Sequence, residues 1–440
     1  MVRALTFGCI TLLSTIAMAN PIPVGLLGVF NDACHHDPTY QIDVARYQVA
    51  REQLPESYSV LFPQLDLSAA INREWDHIKG IGNGDYTTHN YGLNATQTIF
   101  DWSVFRQISR SAYSVRSAAS QLAYNQQQLI IRTAAAYYNV LENIDILGYT
   151  QQQLAILQRQ LDQTLELYKH HEATITELEQ IKGAYFNRLN DLQEAKLNVY
   201  KAKQNLSVIT AVHYDKFLKL RAQVPLITPQ PAKLAVWEHN TITKNLKLQA
   251  DQLAMQAAQR NISAQRGGYL PTIQAQGGYM RAQEPTTNTS GLTTQNSRDA
   301  NIGLNLTWKI FQGGLTLAQV NVAKANYNRA IAEMHESYLQ QLSQARSAFE
   351  GITLNRQAII HARAAIMWNK HALKHAEEGF RAGQQTITDL LSIQEDLFNS
   401  EQKYAHDMYA YLNDMLLLQQ AAGTLNVHSL AIQNSWLVAH

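Results

Sequence analysis

Proline is missing from two very long stretches of this 440-residue chain, and this constrains the fold more than any other feature. No proline occurs between residues 64 and 224 or after residue 285. Because proline breaks the interior of a helix, both stretches are free to form helices far longer than the usual three turns. Three of the ten prolines lie within residues 225–231, which predicts a linker over 225–232 between two halves.

The two halves repeat one another. Residues 174–178 read Thr-Ile-Thr-Glu-Leu and recur at 386–390 as Thr-Ile-Thr-Asp-Leu, an offset of 212 residues. Residues 92–94 read Gly-Leu-Asn and recur at 303–305, an offset of 211. Such constant offsets indicate two copies of one structural unit. The predicted units are a first repeat over 20–224, the linker, a second repeat over 233–427 and a C-terminal tail over 428–440.

The first 19 residues have the features of an export signal. Arg3 precedes an apolar run at 4–16, and the small-residue pattern Ala-Met-Ala at 17–19 follows. The run is too short to span the roughly 30 Å hydrocarbon core of a bilayer. We therefore expect a signal peptide at 1–19. The rest of the chain would carry Cys34 as its one thiol and could form no internal disulfide.

Apolar and polar residues alternate in four segments, and a period of two predicts β-strands. The clearest is 302–310, where Ile302, Leu304 and Leu306 alternate with polar or small residues. The predicted strands cover about 61–82, 89–102, 268–282 and 300–312, with a short polar connection at 83–88 and a long one at 283–299. Half of a soluble sandwich is one interpretation, but four strands make a small core for this length. A membrane β-barrel completed by several chains would remove the open sheet edges.

The remaining sequence has a helical period. Apolar or small residues recur by sevens from Ile108 to Ala136 and again from Leu147 to Tyr168, with a step of eleven between the two runs. That step locally unwinds a left-handed supercoil, which suits nearly untwisted helices packed side by side. A solitary coiled-coil rod would leave the strands and the export signal unexplained. The predicted long helices cover about 104–168, 176–208, 315–380 and 386–422, and a shorter helix opens each repeat.

Charge and motifs argue against two classes of function. Lys and Arg number 36 and Asp and Glu 35, which leaves no basic surface for a nucleic-acid partner. The sequence has no phosphate-binding loop, nucleophile elbow or kinase signature. Histidines are adjacent at 35–36 and 170–171, but adjacent side chains on a helix diverge by about 100° and do not form a zinc pair. We predict no enzyme, no cofactor and no metal site.

Four strings of residues are specific enough to indicate a family. They are Ala-Ala-Tyr-Tyr-Asn-Val-Leu at 135–141, Ile-Asp-Ile-Leu at 144–147, Arg-Gln-Leu-Asp-Gln-Thr at 159–164 and Ala-Gly-Thr-Leu-Asn at 422–426. With these strings the chain resembles the TolC family of outer-membrane efflux and secretion channels. The resemblance implies a mainly helical homotrimer, with four strands per chain in a twelve-stranded barrel and long helices in a periplasmic α-barrel. It also implies the outer membrane of a Gram-negative bacterium as the location.

The resemblance implies partners as well: a periplasmic adaptor, an inner-membrane transporter of RND, ABC or MFS type, and outer-membrane lipid. The duct itself would be passive and would serve drug efflux, type I protein secretion or both. An adhesive coiled-coil surface protein is the other function that the pattern allows. An adhesin of that kind would carry one C-terminal membrane block, whereas this chain has two internal pairs of strands. The pattern therefore favours the duct.

Functional residues are expected at the two helix-to-helix turns of the periplasmic end. The resemblance implies that Asp389 lines the closed entrance as one acidic ring, while Ser392 stands where the family has a second aspartate. The family's closing contacts use an acid and a turn residue, matched here by Glu177 and Thr176. Its tyrosine and arginine are replaced by Phe380 and Gln385, so we expect Phe380 to close the duct by packing on the ladder that ends at Tyr168.

Adaptor docking is expected at the same two turns. The family carries a small apolar and glycine element at each turn, and the second repeat retains it as Ala382-Gly383-Gln384. The first repeat has His170-His171-Glu172 there instead. This departure predicts a partner with complementary polar residues. Since histidine changes its charge between about pH 5 and 8, assembly is expected to vary with periplasmic pH.

Overall fold

The computed structural model describes residues 23–78, 82–288, 291–382 and 384–439, so the predicted signal peptide at 1–19 lies outside the described residues. The helices are α1 (Leu26–His36), α2 (Pro38–Ser59), α3 (Trp102–Lys169), α4 (Ile175–Thr210), α5 (Leu234–Lys244), α6 (Leu246–Arg266), α7 (Leu315–Arg381), α8 (Ile387–Ala421) and α9 (Val427–Asn434). The strands are β1 (Gln64–Ile78), β2 (Gly82–Phe100), β3 (Lys219–Leu220), β4 (Thr272–Asn288), β5 (Gly291–Thr307) and β6 (Leu437–Val438).

The same order of elements occurs twice: two shorter helices, a β-hairpin and two long helices. Helices α3 and α7 have 68 and 67 residues, and α4 and α8 have 36 and 35. At 1.5 Å per residue the longer pair extends roughly 100 Å. Among the described residues, no helix is both long enough and apolar enough to cross a membrane.

The four long strands form one antiparallel sheet in the order β1-β2-β4-β5. Its register brings the alternating apolar residues of the four strands onto one face. One such row consists of Leu67, Leu93, Tyr279 and Ala300. Leu67 is 82% exposed and Ile302, in the next row, is 94% exposed. The opposite face carries a polar row of Asp66, Asn94, Gly278 and Asn301. The protomer therefore presents an uncovered apolar sheet face, which indicates a membrane or partner surface.

The β4–β5 hairpin is longer than the sequence predicts. Pairing continues from Thr272 opposite Thr307 to Asn288 opposite Gly291, so the predicted connection at 283–299 is wrong. The alternation of apolar and polar residues stops near Tyr279, so the sequence beyond it carries no signal that predicts a strand. The backbone ladder does not need apolar side chains, and threonine favours extended conformations. The predicted connection at 83–88 is likewise part of β2.

Prolines help to define where the strands begin. Pro63 and Pro271 directly precede β1 and β4, because proline has no backbone N–H to donate to a ladder. Strand β5 ends at Thr307, opposite the first residue of β4, and the predicted extension to 312 is wrong. Trp308 instead donates a hydrogen bond from its indole Nε1 to the carbonyl of Tyr269, at 3.1 Å.

Two glycines turn the chain from β5 into α7. Gly313 and Gly314 have φ values of 60° and 87°, a region that residues with a side chain rarely adopt. Adjacent glycines after a strand are typical of a bend, and the structure has one at this pair.

The face that α3 buries near its C-terminal end is mostly polar. Its buried residues are Thr150, Gln153, Leu157, Gln160 and Thr164. The predicted ladder that ends at Tyr168 lies beside this face. Gln153 Nε2 donates to the backbone carbonyl of Gln394 on α8, at 3.2 Å. Hydrogen bonding as well as apolar packing therefore joins the two repeats along this stretch.

The main hydrophobic core lies midway along α3, in the string at 135–141. Tyr137 and Tyr138 are fully buried there. Tyr138 Oη donates to Gln433 Oε1 at 2.7 Å, and Gln433 Nε2 donates to the carbonyl of Leu412 at 2.9 Å. The segment 428–440, predicted as a tail, therefore contributes to the core through α9 and β6. Its apolar residues fall in two short groups, at 430–432 and 436–439, that show no sustained period, but Leu430 and Trp436 are buried members of the main hydrophobic core.

Asp414 on α8 gives the fold a pH dependence. Its carboxylate lies against Gly351 of α7 and accepts a hydrogen bond from Asn355 Nδ2 at 3.0 Å. Burial raises the pKa of Asp414 to about 6. The charged form is therefore disfavoured in the folded protein, and stability present at low pH is lost as pH rises through about 6. After allowance for solvent screening the loss is about 1 kcal/mol.

Asp414→Asn should remove this component. Thermal melting followed by circular dichroism is expected to show a smaller difference between pH 5 and pH 7.5 in Asp414→Asn than in the unmodified protein. Asp396→Asn, at an exposed position of the same helix, is the matched control. Equal pH dependence in the two variants would contradict the assignment.

Candidate functional site at the helical tip

Two helix-to-helix turns lie at the ends of the long helices, and each is followed by the same capping arrangement. Thr174 precedes α4, and its Oγ1 accepts from the backbone N–H of Glu177 at 3.2 Å. Glu177 Oε2 accepts in return from the backbone N–H of Thr174 at 2.7 Å. Thr386 and Asp389 repeat this exchange at α8, with both backbone hydrogen bonds at 3.2 Å. The repeated Thr-Ile-Thr-acid sequence is thus a capping box at each turn.

The first turn is closed by histidine in an unusual backbone conformation. His171 has φ of 61°, in the left-handed region that glycine favours. The N–H of His171 donates to the carbonyl of Tyr168 at 3.0 Å, and the N–H of Glu172 donates to that of Leu167 at 2.8 Å. His170, His171 and Glu172 are all exposed. Position 171 corresponds through the offset of 212 to Gly383 of the second turn.

The second turn joins α7 to α8 through Ala382 and Gln384, which are both exposed. The N–H of Gln384 donates to the carbonyl of Gly379 at 2.8 Å, the same type of bond that Glu172 makes in the first turn. Gly383 lies outside the described residues.

Asp389 is exposed in the first turn of α8, and Ser392 is exposed one turn later. The hydroxyl of Thr386 donates to Asp389 Oδ2 at 2.7 Å. Hydrogen bonds from this hydroxyl and from the Thr386 backbone hold the pKa of Asp389 below its usual value. The carboxylate is therefore charged at periplasmic pH, and Ser392 adds no second charge beside it.

A small hydrophobic group just above the turns holds the two repeats together, and we call it the tip cluster. Its buried members are Leu157, Leu178, Ile181, Leu373, Ala376, Ile387, Leu390 and Leu397. They come from all four long helices. Phe380 is half-buried and packs against this cluster. Leu161, from the ladder that ends at Tyr168, packs against the same cluster, whereas Tyr168 itself is exposed and is not a member.

Among the described residues, no hydrogen bond or ion pair joins Glu177 or Thr176 to Gln385 within the protomer. Glu177 is engaged by Thr174 of its own capping box, and Thr176 is exposed beside it. Gln385 is exposed, and its side chain lies near Gly379. Only Phe380 among these four residues joins the tip cluster.

Sequence reasoning missed a charged contact between α4 and α8 that involves Arg188 and Glu395. The one available signal was the spacing of Arg188, seven residues after Ile181 on the same helix. Within the described ranges, no three histidine, cysteine, aspartate or glutamate side chains are grouped to hold a metal ion.

Comparison with known proteins decides the family. The family described as outer membrane efflux protein matches residues 29–212 and 237–424, one segment in each repeat. This chain belongs to the outer membrane efflux protein family. Outer membrane protein TolC of Escherichia coli (strain K12) is 30% identical over 424 residues, which cover 94% of this chain and 85% of that protein.

Two further comparisons agree with this family. The alkaline protease secretion protein AprF of Pseudomonas aeruginosa is 20% identical over 412 residues, which cover 92% of this chain and 85% of that protein. The fold matches the Campylobacter jejuni CmeC outer membrane channel with a TM-score of 0.78 and 18% identity, over 93% of this chain and 89% of that chain. As an outer membrane efflux protein, the chain is an export duct of the Gram-negative outer membrane with a long periplasmic extension.

Proposed function

We propose that three copies of this chain form one passive duct across the outer membrane and the periplasm. The observation that carries the proposal is the sheet, whose apolar face is exposed and whose outer strands β1 and β5 have open edges. Three four-stranded sheets joined edge to edge would supply twelve strands, with apolar side chains toward lipid and polar ones toward the lumen. The long helices would continue the duct into the periplasm.

Two measurements test the assembly. The outer-membrane form should migrate as a trimer in unheated detergent gels and as a monomer after heating. The same material should form channels in a planar lipid bilayer. A soluble rod would show neither property, and such a result would refute the duct.

The duct would receive cargo through a periplasmic adaptor and an inner-membrane transporter of RND, ABC or MFS type. Relatives named for efflux and for protease secretion support both drug efflux and type I secretion as uses. The duct would have no catalytic role. Chemical crosslinking in cells followed by purification of the complex would identify the transporter and so separate the two uses.

Adaptor docking is proposed at the two turns, with Ala382, Gly383 and Gln384 in one and the histidine pair in the other. Because His170 and His171 are exposed, their side chains are available to a partner. The sequence predicts that assembly with the adaptor varies with pH, and a pull-down assay between pH 5.5 and 7.5 measures this dependence. His170→Ala/His171→Ala should flatten this dependence in a pull-down assay. Unaltered pH dependence in the double variant would overturn the assignment.

Asp389 is proposed as a single acidic ring in the entrance. One charged carboxylate from each of three copies would attract multivalent cations into a narrow opening. Asp389→Asn should abolish most of the block by a polyvalent cation in single-channel recordings, because it removes the charge but retains an oxygen for the cap. Ser392→Asp should strengthen the block by adding a second ring. Block that is unchanged in Asp389→Asn would refute the ring.

Closure is proposed to depend on Phe380 rather than on Gln385 or on a polar link to Glu177 and Thr176. The half-buried ring of Phe380 packs where the helices of both repeats meet, and Gln385 is exposed.

A further inference from the structure

Arg188 of α4 is enclosed by three groups, two of which belong to α8. Its Nη2 lies 2.5 Å from Glu395 Oε2, and its Nη1 lies 3.1 Å from Asp191 Oδ2 on its own helix. The Cζ atom lies 4.2 Å from the ring centre of Phe398 on α8. A planar guanidinium can pair with carboxylates at its edge while its face covers an aromatic ring, which lysine cannot do equally well.

The position of this contact matters because it borders the tip cluster. Ile181 and Leu397 belong to the cluster. Arg188 follows Ile181 by seven residues on α4, and Phe398 directly follows Leu397 on α8. The Arg188 side chain is only 12% exposed. A charged group with so little access to water depends on its partners, and separating α8 from α4 would remove two of the three.

The internal duplication shows that this contact between the repeats has no counterpart at the equivalent positions of α8 and α4. The offset of 212 relates Arg188 to Ser400, Glu395 to Gly183 and Phe398 to Phe186. These residues carry no charge, and Phe186 is 63% exposed. Ser400 Oγ is occupied by Asn369 Nδ2 of α7 at 3.0 Å. The duplicated helices alone therefore do not require the ion pair.

We propose that Arg188 is a positioning residue that holds α8 against α4 when the duct is closed, through Glu395 and Phe398. This inference rests on the proposed function, because it concerns the opening of that duct. Opening would separate the guanidinium from both groups on α8.

Planar-bilayer recordings of the full-length protein test the proposal. Arg188→Gln removes the charge, and the resting open probability is expected to rise about tenfold or more, because each of the three copies loses a hydrogen bond between charged groups. Glu395→Gln should have a smaller effect, since Asp191 and Phe398 still contact the arginine. The double variant Arg188→Gln/Glu395→Gln should open no more than Arg188→Gln alone, because both changes remove one interaction. Arg329→Gln is the matched control, since Arg329 pairs with Glu333 on the surface of one helix.

The outcomes separate this inference from the duct itself. If the unmodified protein forms no channel, the proposed function fails. If it forms a channel but Arg188→Gln has the same open probability as Arg329→Gln, only the positioning role fails. The positioning role also fails if the effects of Arg188→Gln and Glu395→Gln are additive in the double variant. Migration of each variant as a trimer in unheated gels confirms folding. If Arg188→Gln does not assemble, Glu395→Gln and Phe398→Leu decide the question, and an open probability equal to that of the unmodified protein in both would overturn the proposal.

Discussion

Replacing Gly423 with alanine is expected to lower the free energy of unfolding by about 3 kcal/mol. Gly423 follows α8 with φ of 68°, a conformation that costs a residue with a side chain about 1–2 kcal/mol. An added Cβ would also lie 2.2 Å from the carbonyl oxygen of Lys244, a backbone atom that cannot rotate away. Melting of the helices, followed by circular dichroism, should occur at a temperature several degrees lower.

Gly148→Ala provides the matched control for this substitution. Gly148 lies inside α3, and a Cβ there would meet no atom within 4 Å. Alanine should stabilise that helix by up to about 1 kcal/mol, since glycine is the poorer helix former. The same glycine-to-alanine change is therefore expected to lower the free energy of unfolding at position 423 and to raise it at position 148. If Gly423→Ala melts at the same temperature as the unmodified protein, the predicted clash with the backbone of Lys244 is wrong.

Phe380→Ala is expected to open the resting duct. A fully buried phenylalanine contributes about 3–5 kcal/mol relative to alanine, and the half-buried ring of Phe380 about 2 kcal/mol. If opening breaks this packing in all three copies, the closed state loses about 6 kcal/mol. Because a change of about 6 kcal/mol alters the ratio of open to closed ducts by about four powers of ten, we expect resting conductance to rise well over tenfold, together with sensitivity of the cells to a large antibiotic that the outer membrane normally excludes.

Gln385→Ala is the control for this experiment, because Gln385 is exposed in the same turn region. It should leave both conductance and antibiotic sensitivity close to those of the unmodified protein. The reverse order, with a large effect at Gln385 and little at Phe380, would contradict closure by packing on the tip cluster. It would point instead to a polar contact made by Gln385 in the assembled trimer.

The long helices, the strands and the turns were predictable because they depend on local sequence. Missing prolines predicted the long helices, alternating apolar residues predicted the strands, and Gly313-Gly314 predicted the bend between β5 and α7. The repeated Thr-Ile-Thr-acid sequence marked the two turns, since a capping box is formed by residues three positions apart. The family strings at 135–141 and 422–426 also have a local explanation: the first supplies the buried pair Tyr137 and Tyr138, and the second contains Gly423.

Features that join distant parts of the chain were decided by the tertiary structure. The sequence by itself determined a duplicated chain of long helices and lipid-compatible strands, because these follow from composition and period. It could not show that the pairing of β4 with β5 extends through 283–299, because backbone hydrogen bonds do not depend on the polarity of the side chains. Nor could it place Phe380 on the tip cluster or Arg188 between Glu395 and Phe398, which are 207 and 210 residues away in sequence. Those contacts exist only once the two repeats pack together, since burial and charge pairing between repeats depend on how their helices are oriented.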